Sequence, residues 1–443
     1  MKRREFFKTS AGFSAVMLAP GVFSCSVPEG KARAFDFQTI DNASTLVPIT
    51  RVTPPDGHYI HTYYDICSLS PSQRYLATCK LPGLSALPAL GDGHTVDCCV
   101  IDLKEHTIRT VYTSRCFGYQ VGANIEWGAT DRNLYANDII DGRAVCVRID
   151  IESGETKAYE GAKYNIAPDE SAVIAFPLEY LNVTQQGYGA PSPDPANPPA
   201  LPPGAATDEG VWRTDLATGE RKLLYSLADV AAHIPEPAEH SMDGAVFYFW
   251  HCKYNPQGTR IMQVLRCKFP DGWGRENAMA FTVSADGTEI HHTPSEPVWQ
   301  HMGGHPNWHP DGEHLLRNLK PGGGPERFCK LRYDGTGGIQ VLSEKFKGGG
   351  HPTVEPRERF CITDSFPEKE GRQQVRIRLI DLKKEEETAV CTLPTLPRSG
   401  LVDSVFRFDG HPFWGRDYRK VVFQAAPDGL RQLYMADLGE VVA

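Results

Sequence analysis

The chain has 443 residues and a formal net charge of −9 at neutral pH. An acidic balance of this size argues against a nucleic acid as partner. A chain of this length can bury a core without cross-links, so its 12 cysteines do not indicate a small disulfide-stabilised domain. Most of them, such as Cys79 and Cys146, lie in apolar runs, where cysteine packs as a small hydrophobe. A disulfide such as Cys252–Cys267 stays possible on the sequence alone.

Residues 1–34 have the features of an export segment. The pair Arg3-Arg4 precedes Phe-Phe-Lys and a short, weakly apolar run. This pattern is typical of a twin-arginine export signal, although a buried N-terminal helix is the structural alternative. We expect either a lipid anchor on Cys25, in a lipobox-like Val22–Cys25 stretch, or cleavage after Ala34 and a free periplasmic protein. No later stretch approaches the roughly 18 apolar residues of a transmembrane helix.

From residue 35 onward the chain repeats one pattern seven times: an apolar strand, a Pro/Asp/Gly turn and a second strand. Two examples are "HCKYNPQGTRIMQVL" (251–265) and "HPNWHPDGEHLLRNL" (305–319). Short strands in repeats of about 40–60 residues are typical of a β-propeller. We therefore predict an all-β fold, a single seven-bladed β-propeller over residues 35–443. Residues 36–52 are expected to supply the outer strand of the last blade.

An insertion at residues 185–207 interrupts the third repeat between its second and third strands. It is rich in Pro, Gly and Ala, which excludes a strand. Two interpretations remain for it, a solvated loop and a lid over one face of the propeller.

One position recurs with histidine in four consecutive repeats. The residue five positions before the turn should open the innermost strand of each blade, beside the central channel. In blade order these residues are Ile66, Asn124, Lys163, His251, His305, His351 and His411. The whole chain has 15 histidines, so this clustering is improbable by chance. We expect the imidazoles to converge on one channel mouth, where they can bind a metal and move protons. The alternative is that they only link neighbouring blades.

The same mouth should also receive the ends of the second strands, which carry Arg266, Asn318 and Asp364. The opposite face is expected to carry only polar turns. Imidazole combined with carboxylate or amide oxygen suits Mn²⁺, Zn²⁺ or another borderline ion better than it suits Ca²⁺.

This set of residues limits the reaction classes. The seven rim positions carry no carboxylate, which argues against a glycoside hydrolase with its opposed carboxyl pair. β-Elimination from a uronic acid fits better, because it needs a cation to neutralise the sugar carboxylate and a neutral base to remove the C5 proton. We therefore predict a metal-assisted lyase acting on uronate-containing oligosaccharides. The alternative is a non-catalytic, TolB-like carbohydrate-binding or scaffold propeller.

The contexts of the histidines in blades four to six, with "HPDG" and "HPTVEP" beside them, resemble those of oligogalacturonate lyases. These are seven-bladed propellers that hold Mn²⁺ through histidines and a glutamine and cleave short pectic fragments. Stretches such as "QVGANIEW", "QQGYG" and "GHPTVEPRERFCITDS" also resemble bacterial propellers grouped with lyases of rhamnose–glucuronate linkages. The Gln-x-x-His-x-His run of oligogalacturonate lyases is Lys347–His351 here and retains only its last histidine.

The resemblance implies a metal bound by His305 and His351 and a catalytic role for His251. We expect His411 to take the vacant metal position and Mn²⁺ to be the favoured ion, with Ca²⁺ and Zn²⁺ possible. In the predicted reaction His251 acts as base or proton shuttle and Arg266 grips the carboxylate. Tyr188 is a candidate for protonating the leaving oxygen, and the alternative is that it only packs. The residues predicted to bind substrate are Gln120, Asn124, Lys163, Asn318 and Asp364. We expect a monomer or a small homo-oligomer.

Overall fold

The computed structural model describes residues 30–83, 94–185, 187–192, 199–234, 244–268, 278–293, 304–367, 374–396 and 405–443. The twin-arginine pair and Cys25 lie outside these residues, so the export signal stays a prediction. Neither α-helix in the described ranges is long and apolar enough to cross a membrane.

The described strands form seven antiparallel sheets, and these are the seven blades of the predicted β-propeller. The strands that precede the first blade are β1 (Arg33–Ala34), β2 (Gln38–Ile40) and β3 (Ile49–Arg51). The first blade contains β4 (His58–Ile60), β5 (Tyr75–Leu81), β6 (Val96–Asp102) and β7 (Thr107–Ser114). The second contains β8 (Glu126–Trp127), β9 (Asn133–Ile140), β10 (Arg143–Asp150) and β11 (Thr156–Glu160).

The third blade includes both short α-helices. Its elements are β12 (Asn165–Ile166), β13 (Ala172–Ala175), α1 (Leu178–Thr184), β14 (Gly210–Asp215), β15 (Arg221–Ser226) and α2 (Leu227–Ala231). The fourth blade contains β16 (Val246–Tyr254), β17 (Arg260–Lys268), β18 (Ala278–Ser284) and β19 (Ile290–Thr293).

The last three blades have a two-residue inner strand each. The fifth contains β20 (Asn307–Trp308), β21 (His314–Leu319), a 3-10 turn (Pro321–Gly323), β22 (Arg327–Arg332) and β23 (Gln340–Val341). The sixth contains β24 (Thr353–Val354), β25 (Phe360–Ser365), β26 (Gln374–Asp381) and β27 (Glu386–Pro394). The seventh contains β28 (Phe413–Trp414), β29 (Lys420–Ala425) and β30 (Gln432–Asp437).

The second strand of a blade is buried on both faces, because a neighbouring blade covers each of them. In β17 the run Ile261–Leu265 is fully buried, and in β29 the same holds for Val421–Ala425. A strand buried on both faces reads as a nearly continuous apolar run rather than an alternating one. This explains why these strands are the clearest signal in the sequence.

The ring is closed by strands from near both ends of the chain. Strand β3 pairs with β30, with Ile49 opposite Ala436, and β2 lies outside β3. Residues 36–52 therefore complete the last blade, which confirms the prediction for this segment. Strand β1 extends the first blade by pairing with β7.

The insertion leaves the third blade between β13 and β14, at the predicted point. Helix α1 just before it was not expected from the sequence. The disulfide considered for the fourth blade is wrong. In the β16–β17 register Cys252 lies opposite Gln263, and Cys267 lies opposite Phe247, so the two thiols are not neighbours and both are free.

The central channel also contains a cavity of about 480 Å³ at the end where the blade turns lie. The expectation that this face carries only polar turns is therefore wrong. Strand side chains alternate in direction, so the residue two positions beyond each predicted histidine position also faces the channel.

Candidate metal and catalytic site

A common backbone conformation marks the predicted rim positions. Asn124, His251, His305 and His411 have left-handed φ angles of 53°, 61°, 54° and 45°. This conformation costs about 1–2 kcal/mol for a residue with a Cβ. Strained residues of this kind cluster at functional sites. In blades two, five and seven this residue stands two positions before the inner strand. His251 lies inside β16 at a register shift, so the prediction that it opens the inner strand of blade four is wrong.

The histidines of blades four to seven converge as predicted. The ring centroid of His351 lies 4.2 Å from that of His305 and 4.3 Å from that of His411. Tyr63 stands between this group and His251, with ring distances of 4.6 Å to His411 and 5.4 Å to His251. The site therefore has two sides, a histidine group and a single imidazole, joined by one buried tyrosine.

Asp364 fixes the orientation of His351. Its carboxylate is fully buried and lies 2.9 Å from His351 Nδ1, and it accepts backbone N–H groups from His351, Gly410 and His411 at 2.9 to 3.1 Å. Burial alone would raise the pKa of Asp364, but the His351 imidazole and these N–H groups outweigh it and hold the pKa well below its usual range. An ionised Asp364 accepts a hydrogen bond from the Nδ1–H group of His351, which leaves the lone pair on Nε2.

Gly350 makes this contact possible. It has a φ of 68°, and a Cβ at this position would lie 2.0 Å from the carbonyl oxygen of Asp364 and 2.6 Å from its Oδ1. Any side chain there would push His351 away from the carboxylate that orients it. The glycine before His351 thus allows a close approach of the backbone to Asp364 that a side chain would prevent.

The described residues include one set suited to a metal ion. His351, His411 and Asp409 are buried, and each offers a ligand atom within 4.8 Å of the other two. Within the described ranges, Nε2 of both histidines is buried without a hydrogen-bond partner. Two imidazoles and a carboxylate suit Mn²⁺ or Zn²⁺, whereas Ca²⁺ prefers six to eight oxygen atoms. His305 is not part of this set, although its ring contacts His351.

The sequence analysis missed Asp409. The signal available was its spacing in "Asp-Gly-His", two residues before His411, which brings a carboxylate and an imidazole to neighbouring places. In the structure Asp409 Oδ2 lies 3.9 Å from His411 Nε2 and 2.8 Å from Arg407 Nε.

His251 has the environment of a neutral base. Its Nδ1 lies 2.6 Å from the hydroxyl of Tyr164, and its ring stacks on Trp250 at 4.9 Å. Burial, reinforced by the positive charge of Arg266, holds the pKa of His251 well below its ordinary value. The imidazole is therefore neutral at neutral pH. Tyr164 follows the rim residue Lys163 directly and was also missed from the sequence.

Two arginines flank this mouth. The guanidinium of Arg266 lies 4.0 Å from the ring centroid of Trp250, so Arg266 and His251 contact the same indole, close to each other as predicted. Arg407, which the sequence analysis missed, donates a hydrogen bond to the Tyr188 hydroxyl. Burial raises the pKa of Tyr188 above its ordinary value, so the phenol is protonated at neutral pH.

Tyr188 shows that the insertion reaches the channel. Its side chain is buried, with its ring 5.9 Å from that of Tyr63 and 5.1 Å from that of Trp250. The described part of the insertion therefore supplies one wall of the site.

The five predicted substrate-binding side chains make internal contacts. Gln120 Nε2 donates to the carbonyl oxygens of Val405 at 2.7 Å and Arg407 at 2.9 Å. Asn318 donates to the carbonyl oxygen of Gly350 at 3.0 Å and accepts a backbone N–H from Gly349 at 3.0 Å. These two amides hold the segments that carry Arg407 and His351.

The polar residues of blades two and three bond to each other. Asn124 Nδ2 donates to the carbonyl oxygen of Lys163 at 3.1 Å, and Lys163 Nζ lies 3.1 Å from Glu126 Oε2. Asp364 is the fifth predicted residue, and its carboxylate contacts His351. All five side chains therefore make contacts that position other parts of the protein. Their role in binding a substrate stays a prediction.

Comparisons with known proteins support the fold. No protein-family profile matches the sequence, and no curated protein sequence matches it. An oligogalacturonate lyase in complex with manganese superposes with a TM-score of 0.65 at 17% identity, covering 94% of this chain and 99% of that one. An oligogalacturonate lyase from Vibrio parahaemolyticus gives a TM-score of 0.66 at 14% identity, covering 94% and 100%. The resemblance stated from the sequence is thus confirmed as a likeness in fold.

Proposed function

We propose that this protein is a metal-assisted lyase that cleaves uronate-containing oligosaccharides by β-elimination. The observation that carries the proposal is the pairing of a neutral His251 with the His351–His411–Asp409 set on two sides of Tyr63. β-Elimination needs these two elements together, a neutral base and a concentrated positive charge for the sugar carboxylate. The fold shared with two oligogalacturonate lyases agrees with this chemistry.

His351, His411 and Asp409 would hold the divalent ion, with His305 beside them as a further ligand. We favour Mn²⁺, because a lyase of this fold is a manganese complex and the donor set of two imidazoles and a carboxylate suits that ion. When bound, the ion supplies the positive charge that makes the C5 proton next to the uronate carboxylate acidic.

The residues of this chain perform the proton transfers. Arg266 grips the uronate carboxylate, since a planar guanidinium can hold it through two parallel hydrogen bonds. His251 removes the C5 proton, and the released electron pair forms the C4–C5 double bond as the C4–O bond breaks. Tyr188 gives its proton to the departing oxygen, and Arg407 stabilises the phenolate that remains. Each turnover leaves His251 protonated and Tyr188 deprotonated, so solvent must return one proton from base to acid.

The test is the appearance of the unsaturated uronate, which absorbs in the ultraviolet. We would add Mn²⁺-loaded protein to pectic, glucuronan and rhamnose–glucuronate oligosaccharides and follow absorbance, with His251→Ala as the control. We expect a rise in absorbance with one substrate class and little with the variant. Tight binding of an oligosaccharide without any product would indicate the non-catalytic carbohydrate-binding propeller instead.

We further propose that the protein is exported by the twin-arginine route, on the strength of Arg3-Arg4 and the short apolar run after them. Replacing both arginines by lysine should retain the protein in the cytoplasm, as measured by cell fractionation. Cys25→Ala separates the two destinations: release from the membrane fraction indicates a lipid anchor, and an unchanged soluble periplasmic location indicates cleavage.

A further inference from the structure

The cavity at the turn-side end of the channel is built by a second ring of residues. Each lies two positions after a rim residue, on the inner strand of its blade. In blades two to six these residues are Glu126, Asn165, Lys253, Asn307 and Thr353, and all five line the cavity. They present a carboxylate, two carboxamides, an ammonium group and a hydroxyl around one space of about 480 Å³.

Tyr64 separates this cavity from the histidine group. Its ring lies 5.0 Å from that of His351 and also lines the cavity, and its hydroxyl donates to the carbonyl oxygen of Pro306 at 3.0 Å. The side chain is fully buried. The channel therefore has two chambers, and a ligand in the turn-side chamber would not occupy the proposed lyase site.

The buried charges around the turn-side chamber cancel in pairs. Arg416, which also lines the chamber, is exposed to solvent and donates to the carbonyl oxygens of Leu69 and Ser70. Lys253 Nζ lies 3.8 Å from Asp65 Oδ2, and Lys163 Nζ lies 3.1 Å from Glu126 Oε2. Lys253 also donates to Asn307 Oδ1 at 3.4 Å. A bound anion or cation would add one uncompensated charge to this buried set, which costs free energy. The set favours a ligand without net charge.

Two buried polar atoms of this chamber lack hydrogen bonds. Asp65 Oδ2 and Thr353 Oγ1 have no hydrogen-bond partner among the described residues, and both residues are 8% exposed. Buried polar atoms are nearly always satisfied, by protein, water or a ligand. One of these atoms accepts hydrogen bonds and the other can do both, so a hydroxyl group satisfies either of them.

We propose that the turn-side chamber is a second small-molecule site, and that it binds a neutral polyhydroxylated compound such as an uncharged sugar or a cyclic polyol. The volume lies within the range of about 300–1,000 Å³ usual for such sites. Each ligand hydroxyl needs one donor and one acceptor, which the alternating ammonium, carboxamide and carboxylate groups provide. Trp308 and Trp414, which also line the chamber, supply its apolar wall.

The experiment is a calorimetric titration of the full-length protein with D-galactose and myo-inositol. D-Galacturonate and D-glucosamine serve as charged comparators of similar size. We expect at least one neutral probe to bind, and to bind more tightly than either charged comparator. Thr353→Val removes only a hydroxyl and should weaken this binding about three- to tenfold, and Asp65→Asn should weaken it about tenfold or more.

Controls separate this site from the proposed lyase site. Thr113→Val makes the same substitution at an exposed position of β7 in the first blade and should leave binding of the neutral probe unchanged. His251→Ala should also leave it unchanged, whether or not the protein proves to be a lyase. Three results would each overturn the proposal: no binding of either neutral probe, binding of charged comparators only, or affinities that Thr353→Val and Asp65→Asn do not alter. Thermal unfolding of both variants verifies that they are folded.

Discussion

The two halves of the channel mouth carry different side chains at the rim position. Blades four to seven place histidines there, and blades one to three place Ile66, Asn124 and Lys163 there. Asn124 shares the left-handed conformation of His251, His305 and His411, whereas Ile66, Lys163 and His351 do not have it. The strained conformation thus occurs in both halves, but not at every rim position.

The two halves differ in whether the polar atoms of their rim side chains have hydrogen-bond partners within the protein. Asn124 and Lys163 bond to their own neighbourhood, so their half of the mouth is closed. Among the described residues, His351 and His411 each keep a buried Nε2 without a partner. The half that we propose to be reactive is therefore the one in which buried ligand atoms have no hydrogen-bond partner among the described residues.

The strongest test of this contrast is removal of His251. We expect His251→Ala to lower turnover by about 10²–10⁴-fold, the usual contribution of a general base. Metal content and melting temperature should stay close to those of the wild type. If the variant instead stays active and loses metal, the roles are exchanged and His411 is the better candidate for the base.

The metal set gives the next largest effect. His351→Ala should lose about one equivalent of bound metal, measured by elemental analysis of the purified protein. Asp364→Asn keeps the ligands but removes the charge that orients His351, and should weaken metal affinity about 10–100-fold. A wild-type protein without metal, or a His351→Ala variant with unchanged content, would leave the histidines with a structural role.

Tyr164 links the two halves, because it follows Lys163 in the chain and bonds to His251. Tyr164→Phe removes that hydrogen bond and nothing else. We expect kcat to fall about tenfold, the kinetic equivalent of about 1.4 kcal/mol, with KM nearly unchanged. A change confined to KM would mean that Tyr164 contacts the substrate instead of positioning the base.

In the closed half the expected effect is on stability. Asn124→Ala loses the hydrogen bonds to Lys163 and Tyr164 and keeps a Cβ at a left-handed position, so we expect a loss of about 1–2 kcal/mol in the free energy of unfolding. Asn124→Gly loses the same bonds but relieves the backbone, and should be the more stable of the two variants in thermal unfolding. Equal stabilities would mean that the left-handed conformation carries no strain.

The smallest expected effect concerns the pH profile of kcat/KM, which should show no change near the ordinary pKa of histidine. A base whose pKa is lowered stays neutral, and therefore active, below the ordinary histidine value of about 6.5. kcat/KM should be flat from pH 8 to about 6.5 and should fall only at lower pH, because the pKa of His251 lies well below its ordinary value. An acidic limb centred at or above pH 6.5 would exclude His251 in its observed environment as the base.

The fold followed from the sequence because its signal is periodic. The turn and the buried second strand recur in every blade, so the number of blades and the offset of the rim position could be counted. The four histidines were found together because they occupy one repeated backbone position. Residues 36–52 were then the one strand segment not assigned to a blade, and the last blade was the one that still needed an outer strand.

The missed residues are not marked by the repeat. Tyr164 directly follows a rim residue, but no other blade has a tyrosine at that position. Tyr63 follows β4, and Arg407 and Asp409 precede β28. The internal contacts of Gln120, Asn318 and Asp364 depend on loop backbone groups that have no sequence signature. The disulfide alternative failed because Cys267 lies opposite Phe247, five positions along β16 from Cys252.

Closure of the ring by β3 and β30 also decides when the site can exist during synthesis. Tyr63 belongs to the first blade and His411 to the last, yet their rings lie 4.6 Å apart. The pairing that joins the first and last blades cannot form until Gln432–Asp437 has left the ribosome, because β3 pairs only with β2 before then. Pairing over so long a stretch of chain is slow to form. A chain interrupted before Gln432 would therefore lose, together with β30, the junction on which both sides of the site depend.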